Sequence, residues 1–337
     1  MLDVALSLTI GDRLYEQHCV AMRLRRTQLS ALDRLEIVLP VGVSFEAEPG
    51  EDCSLEIDGG DGSATVFSGQ LTLVQQSLSG LHIAAHNGGL ALARYRPSVT
   101  FEQQSIGDII NSLCSDAEVD IASNVDGATL ALYAAEGRAT AAEEIARLAM
   151  LAGAACAFDG DGSLHISEDG GPGGELALRY GRELLSGNTS SALADENTIT
   201  VVGEGADEAA SDQGRWIITD FLRGGGSEPG PNARRIVKPE LRTTEDTELA
   251  AAAVTHRRTA GEAQVRVRTW LHPELQPGMR LEFADMPQQL PLQECRIRQV
   301  VSTLSPSGGA STEVWASGQV AGASEFGDLL GGVGALL

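Results

Sequence analysis

The sequence predicts a mainly β protein in which two small β-barrel domains flank an α/β insert. Before Pro97, and again after about Leu176, hydrophobic and polar residues alternate over short runs, as in half-buried strands. Between these regions the spacing changes to the three-and-four repeat of amphipathic helices, and each helical run is followed by a short apolar strand. This order predicts four segments, which are residues 1–96, 97–175, 176–320 and a C-terminal tail, 321–337.

Composition limits the classes of function that the chain can have. Of its 337 residues 42% are hydrophobic, as expected for a folded protein with a large core. The 47 Asp and Glu residues outnumber the 24 Lys and Arg residues, and the formal net charge is −23. So acidic a chain is unsuited to neutralising phosphates, and direct nucleic-acid binding is not expected. The absence of an apolar membrane segment and of a signal-peptide pattern predicts folding in a cytoplasm.

The N-terminal region, residues 1–96, has the pattern of a small barrel or sandwich. Several alternating runs follow one another at regular spacing, with almost no helical signal. Between two of these runs the sequence DGGDG, Asp58 to Gly62, predicts a hairpin turn, since glycine adopts a positive φ at low cost.

The insert, residues 97–175, contains two capped helices. Ser105 is the predicted N-cap of the first helix, and Thr140 that of the second, with Glu143 three residues later as in a capping box. Gly153 is expected to end the second helix. The sequence DGDG, beginning at Asp159, predicts a tight turn between two short strands, and DGGPGG (169–174) is expected to be a linker. The predicted buried stripes comprise Ile106, Ile109, Ile110 and Leu113 in the first helix, and Ile145, Leu148, Ala149 and Leu151 in the second.

The third segment, residues 176–320, is predicted to be a second β-barrel domain that contains one helix, residues 245–258. Acidic residues lie in the first turn of this helix and basic ones in its last turn, which matches the helix dipole. Four alternating runs follow the helix. The tail, 321–337, is apolar and rich in glycine, so it is not expected to fold alone.

No catalytic, cofactor or metal site is predicted. His82 and His86 are four residues apart, but in a strand-like run, and no HExxH motif accompanies them. The two Asp-Gly turns lack the twelve-residue spacing of a calcium loop, and no nucleophile elbow or phosphate-binding loop is present. Five scattered cysteines without a CxxC pair predict buried, reduced thiols. The tryptophans are interpreted as core or interface anchors rather than a sugar-binding platform, and they are Trp216, Trp270 and Trp315.

The order of the segments resembles the baseplate hub proteins of contractile phage tails and related injection systems. This family includes late control protein D and the hub part of VgrG. The resemblance rests on VTFEQQSIGDII at the start of the insert, RATAAEEIARLAMLAGAACAFDGDGSLHI at its end, LRYGREL after it, and the helix that leads into VRVRTWLHPELQPGMRLEF. It covers about residues 1–320.

The resemblance implies a homotrimeric ring that joins a sixfold tail tube to a threefold spike, without catalysis or cofactors. Three copies with two barrels each would present six similar edges to the tube. Unlike VgrG, the chain has no long repeat that could form a fused needle, which implies a separate spike protein. Baseplate wedge or LysM-type proteins are further expected partners. The hub would be assembled in the host cytoplasm and become part of a virion tail or an injection-system baseplate.

The predicted partner-binding residues lie in the tail, because a free apolar tail is unfavourable in water. They are Phe326, Leu329, Leu330, Val333, Leu336 and Leu337. Two other classes of function stay open at this point. One is a tail-tip hydrolase of the cell wall or of polysaccharide, which would need a clefted carboxylate pair or a metal site, and the other is a carbohydrate-binding β-module that uses Trp270 or Trp315.

Overall fold

The computed structural model describes residues 4–16, 19–60, 62–191, 198–203, 233–241, 244–287 and 292–320. The N-terminal region forms β1 (Ala5–Ile10), β2 (Arg13–Glu16), β3 (Ala21–Thr27), β4 (Arg34–Leu39), β5 (Asp52–Asp58), β6 (Ser63–Ser77), β7 (Gly80–His86) and α1 (Gly89–Arg94). The insert forms β8 (Ser98–Ser105), α2 (Ile106–Asp116), β9 (Ile121–Ser123), β10 (Thr129–Glu136), α3 (Ala141–Leu151), β11 (Ala155–Phe158) and β12 (Leu164–Ser167).

The C-terminal region contains the remaining elements. It forms β13 (Glu175–Arg179), β14 (Leu184–Ser191), β15 (Thr198–Gly203), β16 (Ala233–Lys238), α4 (Thr244–Glu262), β17 (Ala263–Trp270), β18 (Arg280–Ala284), β19 (Leu292–Ser305) and β20 (Gly309–Val320). The predicted fold class, mainly β with an α/β region in the middle of the chain, is therefore confirmed. The predicted helix 245–258 is present and extends four residues further, to Glu262.

Both β regions belong to one 13-stranded sheet. Along its main path the order is β14-β17-β20-β19-β3-β4-β7-β6-β5-β1-β2, and β18 pairs with both β13 and β19. The antiparallel pairing of β3 with β19, from Gln299 opposite Thr27 to Leu304 opposite Met22, joins the two regions. Among the described strands, β2 pairs only with β1 and β14 pairs only with β17, so the path has an edge strand at each end. A single bridge between Leu184 and Tyr180 adds to the pairing of β14.

Each β region has its own hydrophobic core. The N-terminal core takes buried side chains from β1 to β7, among them Leu55, Ile10 and Leu24. In β3, β4 and β7 every second side chain points into this core and the alternate ones point outward, as the period of two predicts. The C-terminal core is built in the same way from β13 and from β17 to β20, with Ile297 and Val314 fully buried.

The two helices of the insert begin where the sequence predicts. The Ser105 hydroxyl accepts a hydrogen bond from the Asp108 N–H at 3.1 Å, at the start of α2. At the start of α3, Thr140 and Glu143 form the complete capping box. All eight predicted stripe residues of these helices are buried, from Ile106 in α2 to Leu151 in α3.

The core of the insert extends beyond residues 97–175. Its cluster of buried side chains includes Leu92 from α1, Ile199 and Val201 from β15, and Ala250 and Ala251 from α4. Helix α4 also packs on α3. A helix that the sequence assigns to the second β domain therefore completes the core of the insert.

The sequence predicts only strands in residues 1–96, and this prediction is wrong at helix α1. The alternating run ends at His86, and six residues from Gly89 to Arg94 form a helix instead. The helix is too short to show a periodic pattern, and its N-cap, Gly88, makes no side-chain hydrogen bond. Leu92 anchors it, because this side chain is fully buried.

The expected linker, residues 169–174, is a packed crossing in the structure. Gly170 and Gly171 are buried, and the Ser167 hydroxyl accepts hydrogen bonds from both of their N–H groups. A Cβ on Gly171 would lie 2.0 Å from the Pro277 carbonyl oxygen, and one on Gly278 would lie 2.6 Å from the Gly171 Cα atom. Two backbone segments approach each other so closely here that only glycine fits.

Candidate functional site: the free edges and outer face of the sheet

The predicted partner-binding residues of the tail, Phe326 to Leu337, and Trp216 lie outside the described residues. Their roles stay predictions. Within the described part of the chain, the candidate partner surfaces are the free edges at the two ends of the main path of the 13-stranded sheet and one outward-facing groove between them. A third edge strand, β13, lies off this path and, among the described strands, pairs only with β18.

The first free edge is strand β2. The segment that follows β4 runs alongside it, held by an ion pair between Arg13 and Glu46 and by the Tyr15 and Phe45 rings, whose centroids are 5.7 Å apart. A groove of about 650 Å³ lies between the two segments. Leu14 and Val41 line this groove and are 56% and 68% exposed. The edge therefore offers unpaired strand groups beside apolar side chains, as strand-adding partners require.

The second free edge is strand β14, at the opposite end of the sheet path. Large exposed apolar side chains lie beside it, Tyr180 and Leu185 from its own segment and Trp270 from the end of β17. The indole N–H of Trp270 donates to the Arg182 carbonyl oxygen at 3.3 Å, which holds the ring against this edge. Each β region thus ends in a free strand with apolar side chains next to it.

The groove on the outer face lies across β3, β4, β7, β6 and the end of β19. Its volume is about 640 Å³, and Leu73, Val38 and Ala84 form part of its apolar lining. Arg23, Arg34, Glu36 and His82 also line it. This face is more basic than expected from so acidic a chain.

A buried polar cluster joins three parts of the fold. Asp33 accepts from the Thr27 N–H at 2.7 Å and from the Asn87 side chain at 2.8 Å, while the Asn87 oxygen accepts from the Gly89 N–H at the start of α1. The buried Arg26 guanidinium donates to backbone carbonyl oxygens of the C-terminal region, those of Pro273 and Leu275. Burial raises the pKa of Asp33 to about 7, although the Thr27 N–H and Arg26 oppose this shift.

The histidines and acidic turns have structural roles. His82 and His86 are in strand β7, as predicted, and the His86 Nδ1 atom lies 2.9 Å from the Thr72 hydroxyl. Asp58 accepts from the Gly60 N–H at 2.8 Å and closes the β5–β6 turn. Asp159 accepts from the Ser163 N–H at 2.9 Å and closes the β11–β12 turn. No group of three or more metal-ligating side chains is found among the described residues.

One arrangement in the insert is similar to a catalytic triad and was not predicted. The His165 Nε2 atom lies 2.8 Å from an Asp159 oxygen, and its Nδ1 atom lies 3.2 Å from the Ser123 hydroxyl. Asp159 is six residues from His165, but Ser123 is 42 residues away, and the parallel pairing of β9 with β12 makes Ser123 and His165 neighbours. None of the three lines any of the grooves described above. The contacts fix the turn and the strand pair, and we assign them this structural role.

Two of the three tryptophans can be compared with their predicted role as anchors. Trp315 on β20 lies directly opposite Arg266 on β17, and the guanidinium carbon is 5.0 Å from the centre of its ring. A face covered in this way is not available for stacking on a sugar. Trp270 is 47% exposed and belongs to the β14 edge, where an interface anchor is expected.

Four of the five cysteines are buried, as predicted, and Cys19 is partly buried. Burial raises the pKa of the Cys53, Cys114 and Cys295 thiols to about 12. Such thiols are poor nucleophiles near neutral pH, because the thiolate form is scarce. None of the helices in the described ranges has the length and apolar character needed to cross a membrane.

Neither a protein-family model nor a curated protein sequence matches the chain. Solved structures do match, and they define the class of fold, which is that of phage tail proteins. The 43 kDa tail protein of prophage MuSo2 from Shewanella oneidensis superposes with a TM-score of 0.68 at 15% identity, over 93% of this chain and 98% of that one. A tail protein from Neisseria meningitidis gives a TM-score of 0.68 at 14% identity, over 93% and 96% of the two chains.

A component of the type VI secretion system of E. coli also has this fold. It is described as structurally similar to the T4 bacteriophage tail proteins gp27 and gp5. It matches with a TM-score of 0.60 at 12% identity, over 92% of this chain and 76% of that one. At such identities the matches show the shared fold, and this fold is the one that the sequence resemblance implies.

Proposed function

We propose that the chain is a structural, non-catalytic component of the baseplate hub in a contractile phage tail or a phage-like injection system. The fold supports this role, because it extends along 93% of the chain in two phage tail proteins and 92% in a secretion-system component. In such a machine the function of a hub is to hold other proteins in register. Docking surfaces, rather than a reactive site, are then the features to seek.

The observation that carries the proposal is the pair of free edges at the two ends of one sheet. One edge, β2, belongs to the N-terminal β region, and the other, β14, belongs to the C-terminal β region. Both have large exposed apolar side chains beside them, such as Leu14 and Trp270. One chain thus presents two similar attachment sites to its surroundings.

Two similar sites per chain suit an adaptor between symmetries. Three copies related by a threefold axis present six such edges, which is the number that a sixfold tail tube needs. The same three copies present a true threefold surface to a spike. We propose that the ring is a homotrimer, that a tube protein docks on the free edges, and that the spike is a separate polypeptide.

The oligomeric state tests this role directly. We expect the full-length chain to form a three-copy particle, with a mass by light scattering three times that of the 35.3 kDa monomer. Class averages from electron microscopy should show a ring with a central channel. A chain that stays monomeric or dimeric at high concentration would contradict the proposed ring.

An enzymatic assay distinguishes the proposed structural role from the alternative, a hydrolase of the cell wall or of polysaccharide. A structural hub should leave cell-wall and polysaccharide substrates intact at any concentration of the purified chain. A cleared band in a zymogram that disappears in the Ser123→Ala variant would contradict the non-catalytic assignment. A cleared band that persists in this variant would contradict it as well and would point to a different site.

A further inference from the structure

The outer face of the N-terminal β region carries a concentration of positive charge. Arg25 on β3 lies directly opposite Arg34 on β4, and Arg34 lies directly opposite His86 on β7. Arg23 is two residues from Arg25 on the same side of β3. We call the outward side chains of Arg23, Arg25, Arg34 and His86 the basic face.

The arginines of the basic face act on its histidine and favour the neutral imidazole. Burial, followed by the nearby Arg34, Arg25 and Arg94 guanidinium groups, lowers the pKa of His86. Like charges directly opposite each other on paired strands are destabilising. Two carboxyl groups lie near these side chains. Glu36 is directly opposite Arg23 and pairs with Arg34 at 2.8 Å, and the buried Asp33 interacts with Arg25.

The arginines of the basic face are also incompletely satisfied. The Nε atoms of Arg25 and Arg34 are buried and have no hydrogen-bond partner. A buried N–H without a partner costs free energy, and one on a cation costs more than a neutral one. The other ends of these side chains have acceptors, since Arg25 donates to the Leu32 carbonyl oxygen at 3.2 Å and Arg34 pairs with Glu36. The positive charge that remains on the face suits an acidic partner.

The C-terminal β region carries the complementary feature. Glu175 on β13, Glu282 on β18 and Glu294 on β19 lie close together and are exposed, and we call them the acidic cluster. Contact with Glu175, with a further contribution from Glu294, raises the pKa of Glu282. One cation, Arg280, pairs with Glu294 at 2.9 Å. The cluster thus holds an excess of negative charge that a basic partner would relieve.

We infer that the basic face of one copy docks on the acidic cluster of the next copy, and that this head-to-tail contact closes the ring. The two patches differ in sign and lie in different β regions of the same chain. A contact between two different patches is heterologous, and repeated about an axis it generates a closed ring. The groove of about 640 Å³ beside the basic face provides room for the neighbouring strand ends. This inference rests on the proposed ring.

Charge reversal at one residue of each patch tests the contact. Arg34→Glu removes the repulsion between Arg34 and Arg25 but also the ion pair with Glu36, and Glu282→Arg removes the repulsion between Glu282 and Glu175 but adds a cation beside Arg280. Thermal unfolding of each variant is therefore measured first, to establish that the chain is folded. Each folded variant should weaken self-association by about tenfold or more at low salt, because it places like charges across the contact.

The double variant provides the decisive comparison. A chain that carries both Arg34→Glu and Glu282→Arg has the reversed pair of signs and should recover the wild-type assembly. An equimolar mixture of the two single variants can form only alternating contacts, so it should associate without closing a three-copy ring. Arg138→Glu is the matched control, since the Arg138 side chain is 89% exposed and lies in the insert, and its assembly should be unchanged.

The outcomes separate the two levels of the proposal. A wild-type ring whose assembly is unchanged by either single variant would overturn this contact and leave the proposed ring standing. A double variant that assembles no better than the singles would overturn it as well. A wild-type chain that is monomeric at every concentration would overturn both the contact and the ring. Association should also weaken as salt increases, since the charges are at the surface.

Discussion

At the scale of single residues, Asp33 is a buried carboxyl group, only 3% exposed. Its carboxyl group is buried where the N-terminal strands, the start of α1 and the C-terminal region meet. Burial disfavours the charged form, and this effect exceeds that of the Arg26 guanidinium, so the pKa of Asp33 is raised from 3.8 to about 7. A neutral carboxyl group at this junction is therefore favoured in the folded chain.

This shift predicts how stability depends on pH. Because the folded pKa of Asp33 is above its unfolded value, the folded chain binds more protons than the unfolded chain between about pH 4 and pH 7. The contribution of Asp33 is fully present below about pH 4 and is lost as the pH rises through 7. Asp33→Asn keeps the acceptor for the Thr27 N–H and should flatten this part of the curve.

The measurement is the free energy of unfolding in urea from pH 4 to pH 8, for the wild-type chain and the variant. The difference in the free energy of unfolding between the two chains should change from pH 4 to about pH 7 and become constant above about pH 7. A difference that is constant from pH 4 to pH 8 would contradict the raised pKa. The sequence could not predict this residue, since Asp33 looks like an ordinary turn residue until distant segments bury it.

At the scale of elements, the sequence was sufficient to predict the start of a helix where that helix has a side-chain cap. The capping residues Ser105 and Thr140 fixed the starts of α2 and α3, because a side-chain cap is a contact between residues three apart. Helix α1 has no such cap, and α4 packs on the insert through contacts that no local pattern encodes. Composition was misleading at residues 169–174, where glycines serve a close crossing rather than flexibility.

The crossing of Gly171 over Gly278 predicts a sharp cost for a single methyl group. Gly171→Ala would place its Cβ atom 2.0 Å from the Pro277 carbonyl oxygen, so the backbone must move. We expect a loss of about 3 kcal/mol in the free energy of unfolding, at the upper end for overpacking. Thermal unfolding should occur about 4 °C lower, since about 1 kcal/mol corresponds to roughly 1–2 °C in a chain of 337 residues.

Gly173→Ala is the matched control in the same loop. Gly173 has a positive φ of 81° but nothing lies within 4 Å of its Cβ position. Replacing it by alanine should lower the free energy of unfolding only by the cost of a left-handed backbone conformation, about 1–2 kcal/mol. If the two variants unfold at the same temperature, the close crossing is not the reason for glycine at position 171.

At the scale of the whole molecule, the sequence identified the order of the regions but not how they join. Alternation within each strand gave the strands of both β regions, because a half-buried strand shows its period locally. The pairing of β3 with β19 was not predictable, since strand partners far apart in sequence leave no mark in either segment. For the same reason the basic face and the triad-like contact of Ser123 with His165 appear only after folding.

The C-terminal tail provides a prediction at this scale. Deleting residues 324–337 should leave the ring intact, because both patches of the inferred contact lie outside the tail. It should weaken attachment of the spike, if the apolar residues from Phe326 to Leu337 dock there. The measurement is a pull-down of the purified spike by the full-length and shortened chains, with ring mass as the control. Equal recovery of the spike by both chains would remove the proposed role of the tail.

The junction of β3 with β19 also has a consequence for how the chain is made. Strand β19 is synthesised about 270 residues after β3, its partner in the sheet. Until then, the edge of β3 that β19 will cover stays open on the nascent chain, although β4 already covers its other side. Contacts between such distant segments form slowly, and open strand edges invite aggregation in the meantime. The sheet of each newly made subunit therefore remains incomplete until β19 has been synthesised, which delays any assembly that needs the finished sheet.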